Sequence, residues 1–483
     1  MAVNRSGPGW TLALTSVAFF MTALDALVVI TALPAIHREI GGSLANLEWA
    51  VNAYLLSFAA GIITATALGD RLGRRRVYTI GLTLFTAGSA ACALAPTAEF
   101  LIAARAIQGI GAAIVTPLSL TILTTAFPAE RRGAIVGIWG GIAGLAVAAG
   151  PLVGGAVTEG LSWHWIFWVN VPIGLVAAAF SAVRLVESRG PASRLDVPGV
   201  ALVSGGSVGI VWSLIRANDA GWVSPEVVAA LGLGLLLMAG FLLWERRAPA
   251  PMLPLRLFKI QTFTAASATA FLMVAALFSA VFLVSQYFQF ALRYSPWGTG
   301  VRVLPWTATA LFVAPVAGAL SDRIGTRPLM AAGMMLQGVG LGWFALVAST
   351  GVAYAHLVLP LVIAGVGVSM ALPTTPTALL SAVAAPDMGK ASGVNNTLQR
   401  FGGVFGVAVV SAVFAANGHL GTPASVNAGF RPALAVSAGL SVLGALAALV
   451  VKARRRVPET VPTRGALEHL QSERDILPVR TGR

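Results

Sequence analysis

Long stretches without a charged residue recur along the whole chain, and the charged residues are gathered between them. Most stretches are about as long as the roughly 20 apolar residues that a helix needs to cross the hydrocarbon core of a membrane. They lack the polar–apolar alternation of a membrane β-barrel strand, and an open sheet cannot cross lipid, so each is predicted to be a helix. The stretches cover residues 6–24, 49–69, 77–98, 106–129, 133–158, 166–183, 197–215, 227–244, 261–292, 303–321, 328–386, 391–416 and 432–451.

Three of these stretches need an adjustment. The first continues past Asp25 to about residue 34, and Arg400 interrupts the stretch 391–416. The stretch 328–386 is too long for one crossing and is predicted to divide near residues 349–351. The first stretch is also too long for the core of a signal peptide, so we expect it to be retained as a helix. The pattern thus predicts an all-α integral membrane protein with fourteen transmembrane helices.

The loops between the predicted helices alternate between an arginine-rich side and an arginine-poor side. Loops rich in Lys and Arg face the cytoplasm, which predicts a multi-pass protein with both termini cytoplasmic. The poor loops hold Arg38, Arg216, Arg293, Arg302 and Arg431. The rich loops and the end of the last helix hold Arg71, Arg74, Arg75, Arg76, Arg131, Arg132, Arg189, Arg194, Arg246, Arg247, Arg256, Lys259, Arg323, Arg327, Lys390, Lys452, Arg454, Arg455 and Arg456.

Composition excludes several classes of protein. Only 10% of the 483 residues are charged and 57% are hydrophobic, whereas soluble domains carry about 25% charged residues. The net charge of +14 sits mostly in the short loops, so it reflects membrane topology and no nucleic-acid partner is expected. The single cysteine, Cys92, excludes a disulfide framework and a cysteine metal site. There is no Gly-Lys-Ser/Thr phosphate loop and no nucleophile–base arrangement, so neither ATP-driven transport nor an enzyme with catalytic residues is expected.

A short sequence occurs twice. Residues 68–74 read Leu-Gly-Asp-Arg-Leu-Gly-Arg, and residues 320–326 read Leu-Ser-Asp-Arg-Ile-Gly-Thr. Each copy follows the second helix of a set of six, and two parallel repeats are the plan of many secondary transporters. We therefore expect an N-terminal six-helix bundle over 10–186, a cytoplasmic linker with an inserted helix pair over 187–260, a C-terminal six-helix bundle over 261–452, and a cytoplasmic tail over 453–483.

Two ionisable residues lie within predicted helices of the first bundle. Asp25 is the one acidic residue deep within a predicted span, about 22 Å from Trp10 along a helix that rises about 1.5 Å per residue. Arg105 shares one helix face with Gln108 and Gly109. An ionisable residue inside a membrane is by default a functional-site hypothesis. Burial favours the protonated carboxyl and a nearby arginine favours the ionised one, so Asp25 is a candidate proton carrier. A fixed structural Asp–Arg pair is the alternative.

Several motifs resemble the major facilitator superfamily, and specifically its fourteen-helix drug–proton antiporter branch of multidrug exporters. The resemblance covers nearly all of the chain before about Ala453. The motifs are residues 66–75 after the second helix, Leu101, Arg105, Gln108, Gly109 and Gly111 on the fourth, 150–155 (Gly-Pro-Leu-Val-Gly-Gly) on the fifth, 163–174 at the sixth, 24–34 on the first and 389–403 at the thirteenth. The chain departs from the family at Thr66 and Ala146, where glycine is usual, and at His164, where arginine is common.

The resemblance implies roles for these positions. A proton-coupling role falls on Asp25 and Arg105, and the substrate cavity is expected to involve Asp25, Arg105, Gln108, Asn395 and Arg400. A conformational latch that holds the outward-open state is implied for Asp70, Arg71, Gly73, Arg74, Asp322 and Arg323; a charged turn that only sets topology is the alternative. The antiporter motif, which distinguishes exporters from facilitators, is Gly150, Pro151, Gly154 and Gly155; close helix packing alone is the alternative.

Three further basic residues carry a prediction each, and His164 also has an alternative. His164 is predicted to be an interfacial aromatic anchor, and a pH-titrating group is the alternative. Arg302 is expected to lie at the membrane interface with its charge reaching water. Arg400 is hypothesised to face the cavity, where it would favour an anionic or polar group of the substrate.

The sequence therefore predicts a major facilitator fold with two six-helix bundles and two inserted helices. The expected function is proton-coupled export of hydrophobic small molecules, such as drugs, antibiotics or natural products, by alternating access in a bacterial plasma membrane. Its expected partners are the small-molecule substrate, protons and membrane lipid, with the proton motive force in place of any cofactor or metal, and a monomer is expected. The alternatives are a proton-independent facilitator or importer on the same fold, and a transport-inactive receptor or lipid-handling protein.

Overall fold

The computed structural model is helical and contains no strand within the residues that it describes, which are 7–41, 44–128, 132–190, 196–249, 251, 253, 255–384 and 387–452. A 3₁₀ turn, Leu255–Lys259, precedes α10, and a π-helical turn, Tyr287–Ala291, continues it. The helices are α1 (Pro8–Ile40), α2 (Leu44–Leu72), α3 (Arg74–Ala93), α4 (Ala98–Ala126), α5 (Arg132–Gly160), α6 (Trp165–Trp168), α7 (Asn170–Arg184), α8 (Val197–Ala220), α9 (Pro225–Glu245), α10 (Gln261–Gln286), α11 (Pro296–Thr307), α12 (Thr309–Ile324), α13 (Thr326–Val347), α14 (Ala355–Ser381), α15 (Met388–Asn417) and α16 (Pro423–Leu449).

The helices form two sets with a pair between them in sequence. In the first set, α2 and α3 both pack on α4, α1 packs on α5, and α3 packs on α7. In the second set, α13 packs on α14 and α16, and α10 packs on α15 and α16. The pair α8–α9 packs together and lies against α2 and α15. The two sets meet chiefly where α5 contacts α11 and where α2 contacts α15.

The chain is a multi-pass membrane protein. In its described part, eleven helical segments are long and apolar enough to cross a membrane, and twelve if α2, which bends by 48° after Ile62, counts as one span. The predicted number of fourteen, the domain boundaries and the cytoplasmic orientation stay predictions. Arg131, Arg194 and the tail 453–483 lie outside the described residues.

Several helices begin earlier than the hydropathy pattern predicts, among them α11 and α16. Ser295 accepts a hydrogen bond from the Gly298 N–H at 3.0 Å and starts α11 at Pro296, so Arg302 lies inside that helix. Thr422 likewise accepts from the Ser425 N–H at 3.3 Å and starts α16. A Ser or Thr that caps a helix and is followed by proline strongly favours a helix start. These residues are not strongly apolar, so the hydropathy pattern does not record this start. The predicted division of residues 328–386 falls, as expected, between α13 and α14.

The early start of α2 changes the count of buried acids. The helix begins at Leu44, so Glu48 lies within it and its exposed fraction is 0%. Glu48 is therefore buried as Asp25 is, but it lies near the start of its helix, and the prediction that only Asp25 lies deep within a span stays a prediction. Glu48 was missed because the charge-free stretch begins one residue after it, at Trp49.

The repeated sequence is also a repeat of backbone shape. Gly73 lies between α2 and α3 with φ of 108°, and Gly325 lies between α12 and α13 with φ of 86°. Residues with a side chain rarely adopt such angles. The two sites differ in their surroundings, because a Cβ on Gly73 would lie 2.8 Å from the Glu187 carboxylate, whereas a Cβ on Gly325 would meet nothing within 4 Å.

This difference predicts unequal effects of alanine at the two turns. Gly325→Ala should cost about 1–3 kcal/mol from the backbone angles alone, and Gly73→Ala should cost more because it also displaces Glu187. Thermal unfolding of the purified variants in detergent measures both. Gly232→Ala, whose Cβ also meets nothing within 4 Å inside α9, is the control and should not destabilise. Equal melting temperatures for the two turn variants would contradict the role given to Glu187.

Candidate functional site

Asp25 of α1 lies at the centre of the first helix set, with only 1% of its side chain exposed. Three donors from two other helices bind its carboxylate. Arg105 Nη1 lies 2.5 Å from Oδ2, and Gln108 Nε2 and Asn170 Nδ2 donate to Oδ1 at 2.9 and 3.1 Å. The carboxylate is therefore enclosed by one cation and two amides, away from water.

The guanidinium of Arg105 is equally enclosed. Its Nε donates to the Ala50 carbonyl of α2 at 3.1 Å, and its Nη1 also donates to Gln108 Oε1 at 2.7 Å. The rings of Tyr54 and Phe167 lie 4.2 and 5.8 Å from its central carbon, a distance at which cation–π attraction acts. A buried ion pair is tolerable only when its remaining donors and acceptors are satisfied in this way.

Neighbouring polar groups extend this network to α3 and α6. Asn170 Nδ2 also lies 3.1 Å from Ser89 Oγ, which donates to the Phe167 carbonyl at 3.0 Å. Cys92 Sγ lies 3.5 Å from Gln108 Oε1. We define the Asp25 network as Asp25, Arg105, Gln108, Asn170 and Ser89. Its members come from α1, α3, α4 and α7, so a change at Asp25 reaches four helices.

Small residues on α4 make this arrangement possible. A Cβ on Gly109 would overlap the Tyr54 carbonyl of α2, and a Cβ on Gly111 would lie 2.5 Å from the Phe85 nitrogen of α3. The close approach of α2 and α3 to α4 needs both glycines. These positions belong to the same motif as Arg105 and Gln108, so the motif combines the polar groups with the space that they need.

The structure brings together three of the predicted cavity residues and leaves two apart. Asp25, Arg105 and Gln108 contact one another, and their access to a substrate cavity stays a prediction because all three are buried here. Asn395 and Arg400 lie on α15 of the second set. Asn395 Oδ1 is buried and has no hydrogen-bond partner among the described residues, and the Arg400 guanidinium lies 4.1 Å from the centre of the Phe58 ring of α2.

Asn170 and Glu187 are site residues that the sequence interpretation missed. Asn170 lies within the recognised motif 163–174, so a signal was present, but a neutral amide in an apolar run does not stand out. Glu187 lies after α7 and accepts hydrogen bonds from the Arg75 and Arg76 N–H groups at 2.9 and 3.2 Å. A carboxylate at these amides stabilises the start of α3. Its partners are far away in sequence, so spacing could not reveal them.

The predicted latch residues form local contacts at the end of the molecule where α2 meets α3, which we call the basic end. Arg74 Nε and Nη2 both lie 2.8 Å from Asp70 Oδ1, and both residues belong to the first set. Arg71 is exposed beside them in the last turn of α2. In the second copy, Asp322 makes no ion pair with a described residue and Arg323 lies in the last turn of α12. The latch role stays a prediction.

The antiporter motif lies where α5 touches both α1 and α11. A Cβ on Gly150 would lie 2.7 Å from Leu27 Cβ, and one on Gly154 would lie 2.7 Å from the Val28 carbonyl, both on α1. A Cβ on Gly155 would overlap the Pro296 carbonyl of α11. On the other side of this contact, Gly300 of α11 faces the Pro151 carbonyl of α5. A Cβ on Gly300 would lie 2.6 Å from that carbonyl oxygen. The motif thus brings two backbones from different helix sets into contact.

Two hydrogen bonds strengthen this junction, which lies at the end opposite to the basic end. The Trp297 N–H donates to Glu159 Oε2 at 2.8 Å, and Gln289 Nε2 of the π-helical turn donates to the Thr31 carbonyl of α1 at 2.8 Å. Each bond joins the first set to the second. A π-helical turn often marks a functional position, and here it directs Gln289 across the junction.

His164 and Arg302 both lie near this opposite end. His164 stacks on Trp163 with ring centres 3.7 Å apart, and its Nε2 lies 3.7 Å from Glu39 Oε1. Trp163 Nε1 donates to the other Glu39 oxygen at 2.7 Å. Arg302 lies 4.0 Å from the centre of the Tyr294 ring, so its charge is covered by an aromatic face. The interfacial anchor predicted for His164 and the interfacial position predicted for Arg302 stay predictions.

Comparison with known proteins places the chain among transporters. The profile of a family described as the Major Facilitator Superfamily matches residues 15–407 and 306–480. The tetracenomycin C resistance and export protein of Streptomyces glaucescens is 34% identical over 414 residues, 85% of this chain and 77% of the relative. The methylenomycin A resistance protein of Streptomyces coelicolor is 32% identical over 450 residues, 92% of this chain and 93% of the relative.

A solved structure has the same fold. The crystal structure of a peptide transporter in complex with sulfate matches with a TM-score of 0.67 over 93% of this chain and 96% of the other, at 17% identity. The likeness covers both helix sets, because so little of either chain is left unmatched. At this identity the likeness shows the fold and not the activity.

The Asp25 network predicts that the losses of stability on replacing Asp25 and on replacing Arg105 are not additive. Asp25→Asn leaves the Arg105 cation without an anion, and Arg105→Gln leaves the carboxylate with amide donors alone. Each should cost about 3–5 kcal/mol, since each leaves a buried charge uncompensated. The double variant removes both charges and should cost clearly less than the sum, as measured by thermal unfolding in detergent.

The exposed pair of Arg216 and Glu226 provides the control. Its two side chains are 44% and 45% exposed, so replacing both with glutamine should change stability by no more than about 1 kcal/mol. Additive costs at Asp25 and Arg105 would mean that the two charges do not depend on each other.

Proposed function

The chain belongs to the major facilitator superfamily, and from this premise we propose that it is a proton-coupled exporter of hydrophobic small molecules. Drugs, antibiotics and natural products are the substrate class. The proposal is supported by the names of its relatives, which are resistance and export proteins for tetracenomycin C and methylenomycin A. Transport, not catalysis, is then the activity, with protons and the substrate as partners and a bacterial plasma membrane as the location.

The burial of Asp25 is the observation that carries the proton-coupling part of the proposal. A carboxylate with 1% exposure exchanges a proton with water only when the surrounding helices separate. Protonation would also remove the anion to which Arg105, Gln108 and Asn170 donate. Proton binding therefore favours a different arrangement of these helices, which is the differential interaction that any conformational coupling requires.

A short path of contacts connects Asp25 to the junction between the helix sets. Two residues after Asp25, Leu27 packs on Gly150, and Val28 packs on Gly154 of the same α5 helix. The next glycine, Gly155, lies against α11. A shift of α1 that follows protonation would thus act directly on the contact between α5 and α11. We propose that this contact opens when Asp25 is protonated, and that substrate leaves on that side.

The same proposal assigns a state to the basic end. With the junction closed at the opposite end, the central cavity opens toward the cytoplasm, and the latch residues are disengaged. The Asp70–Arg74 pair fits that state, because it joins two residues of the same helix set. In the outward-open state, Asp70, Arg71 and Arg74 would instead contact the second set near Asp322 and Arg323.

Transport by purified protein in liposomes tests proton coupling. Liposomes that contain the trapped pH dye pyranine receive methylenomycin A or tetracenomycin C outside, with no initial pH gradient. An antiporter that lets substrate in must let protons out, so the internal pH should rise. We expect a rise for the wild type and for Glu99→Gln, which removes an exposed acid at the start of α4. We expect none for Asp25→Asn.

The outcomes separate the candidate functions. Substrate uptake without any pH change in the wild type would favour a proton-independent facilitator on the same fold. A full pH change in Asp25→Asn would move proton coupling to another group, for which the buried Glu48 is the next candidate. If Asp25→Asn does not fold, the variant that also carries Arg105→Gln retains a neutral site and serves the same test.

A further inference from the structure

The inserted pair α8–α9 encloses an apolar cavity of 380 Å³ against α2, α10 and α15. Side chains from all five helices line it, and they include Ala60, Ile210, Phe241, Phe271 and Phe401. Small-molecule sites in proteins have volumes of roughly 300–1,000 Å³ and mostly apolar walls. This cavity meets both criteria, and it lies outside the Asp25 network.

Two hydroxyl groups interrupt the apolar wall, and one of them has no partner. Ser207 Oγ donates to the Val203 carbonyl of its own helix at 2.7 Å. Thr397 Oγ1 on α15 is buried and makes no hydrogen bond within the described part of the chain. A buried polar atom without a partner is costly. Thr397 therefore offers a hydrogen bond to a molecule in the cavity.

Arg400 does not itself line this cavity, but on α15 it lies next to two residues that do. It is three residues after Thr397 and four before Val404, both of which line the cavity, so the three share one side of α15. Its guanidinium stacks on Phe58, the neighbour of the lining residue Ala59. No carboxylate among the described residues pairs with Arg400. It differs in this respect from Arg105, whose charge Asp25 compensates.

A cation within a membrane span that lacks an anion indicates where a negative charge belongs. We infer that this cavity binds an amphipathic anion, with its apolar body between α8, α9 and α15 and its anionic group at Arg400 and Thr397. The ligand is either an exported compound or an anionic membrane phospholipid, which share this chemistry. The first case rests on the proposed function and names its substrate class; the second does not depend on it.

Binding of a fluorescent anion tests the inference without any transport. The probe is 11-(dansylamino)undecanoate, and its uncharged methyl ester is the comparison, with protein in nanodiscs of zwitterionic phosphatidylcholine and empty nanodiscs subtracted. We expect the wild type to bind the anion at least about tenfold more tightly than the ester, as a charge-assisted hydrogen bond permits. Arg400→Gln should abolish this preference, and Arg400→Lys should keep most of it.

Filling the cavity should block both probes. Ala60→Phe and Ser207→Leu each add apolar volume at a lining position. Gly232→Phe is a control for Ala60→Phe. It adds the same ring on α9, at a position where a Cβ meets nothing within 4 Å. Arg216→Gln removes an exposed arginine of α8 and matches the charge change of Arg400→Gln. Neither control should alter binding of either probe.

The results decide as follows. Equal affinity for anion and ester in the wild type, or unchanged binding in both filled variants, would overturn the inference. If Arg400→Gln does not fold, the wild-type comparison and the filled variants still decide. Displacement of the bound probe by phosphatidylglycerol identifies the lipid as the ligand, and displacement by methylenomycin A identifies an exported compound. Because no proton gradient is involved, failure of the liposome assay with intact probe binding would refute the proposed export and leave this site standing.

Discussion

Charges within a membrane must be compensated inside the protein, and the ion pair of Asp25 and Arg105 is where this constraint organises the fold. Water cannot reach either group, so every donor and acceptor around them has to come from a neighbouring helix. Gln108, Asn170 and the Ala50 carbonyl supply these partners. The positions of α1, α2, α4 and α7 are therefore fixed relative to one another by a single cluster of polar contacts.

The same constraint explains what the sequence could predict. A charge in an apolar run stands out, so Asp25 and Arg105 could be identified, and the period of α4 added Gln108. Asn170 and a backbone carbonyl carry no charge, and their part in the network became visible only in three dimensions. The apolar stretches likewise predicted the helices but not their starts, because Ser295 and Thr422 begin α11 and α16 through hydrogen bonds that hydropathy does not record. The two carboxylates that were missed, Glu48 and Glu187, lie just outside the charge-free stretches.

Arg105 and Arg400, two arginines within the described helices, have opposite surroundings. Arg105 has an anion, two polar acceptors and two aromatic rings. Arg400 has the Phe58 ring. An ion pair that is complete can hold helices together, whereas a cation that is covered only by a ring remains able to attract a solute. Both residues interrupt apolar helices in the same way, so their sequence signals are alike and only their neighbours separate the two roles.

The junction between α5 and α11 has a thermodynamic consequence that follows from its glycines. Gly155 and Gly300 bring backbone against backbone, with Pro296 and Pro151 opposite them. Joining long side chains would freeze rotamers at a cost of up to about 2 kcal/mol each, whereas glycine has no side chain to order and proline has almost no freedom to lose. The surfaces can separate and rejoin with little change in side-chain entropy. In the proposed transport cycle, the balance between closed and open forms would then depend on a few polar contacts, so that one proton would be enough to shift it.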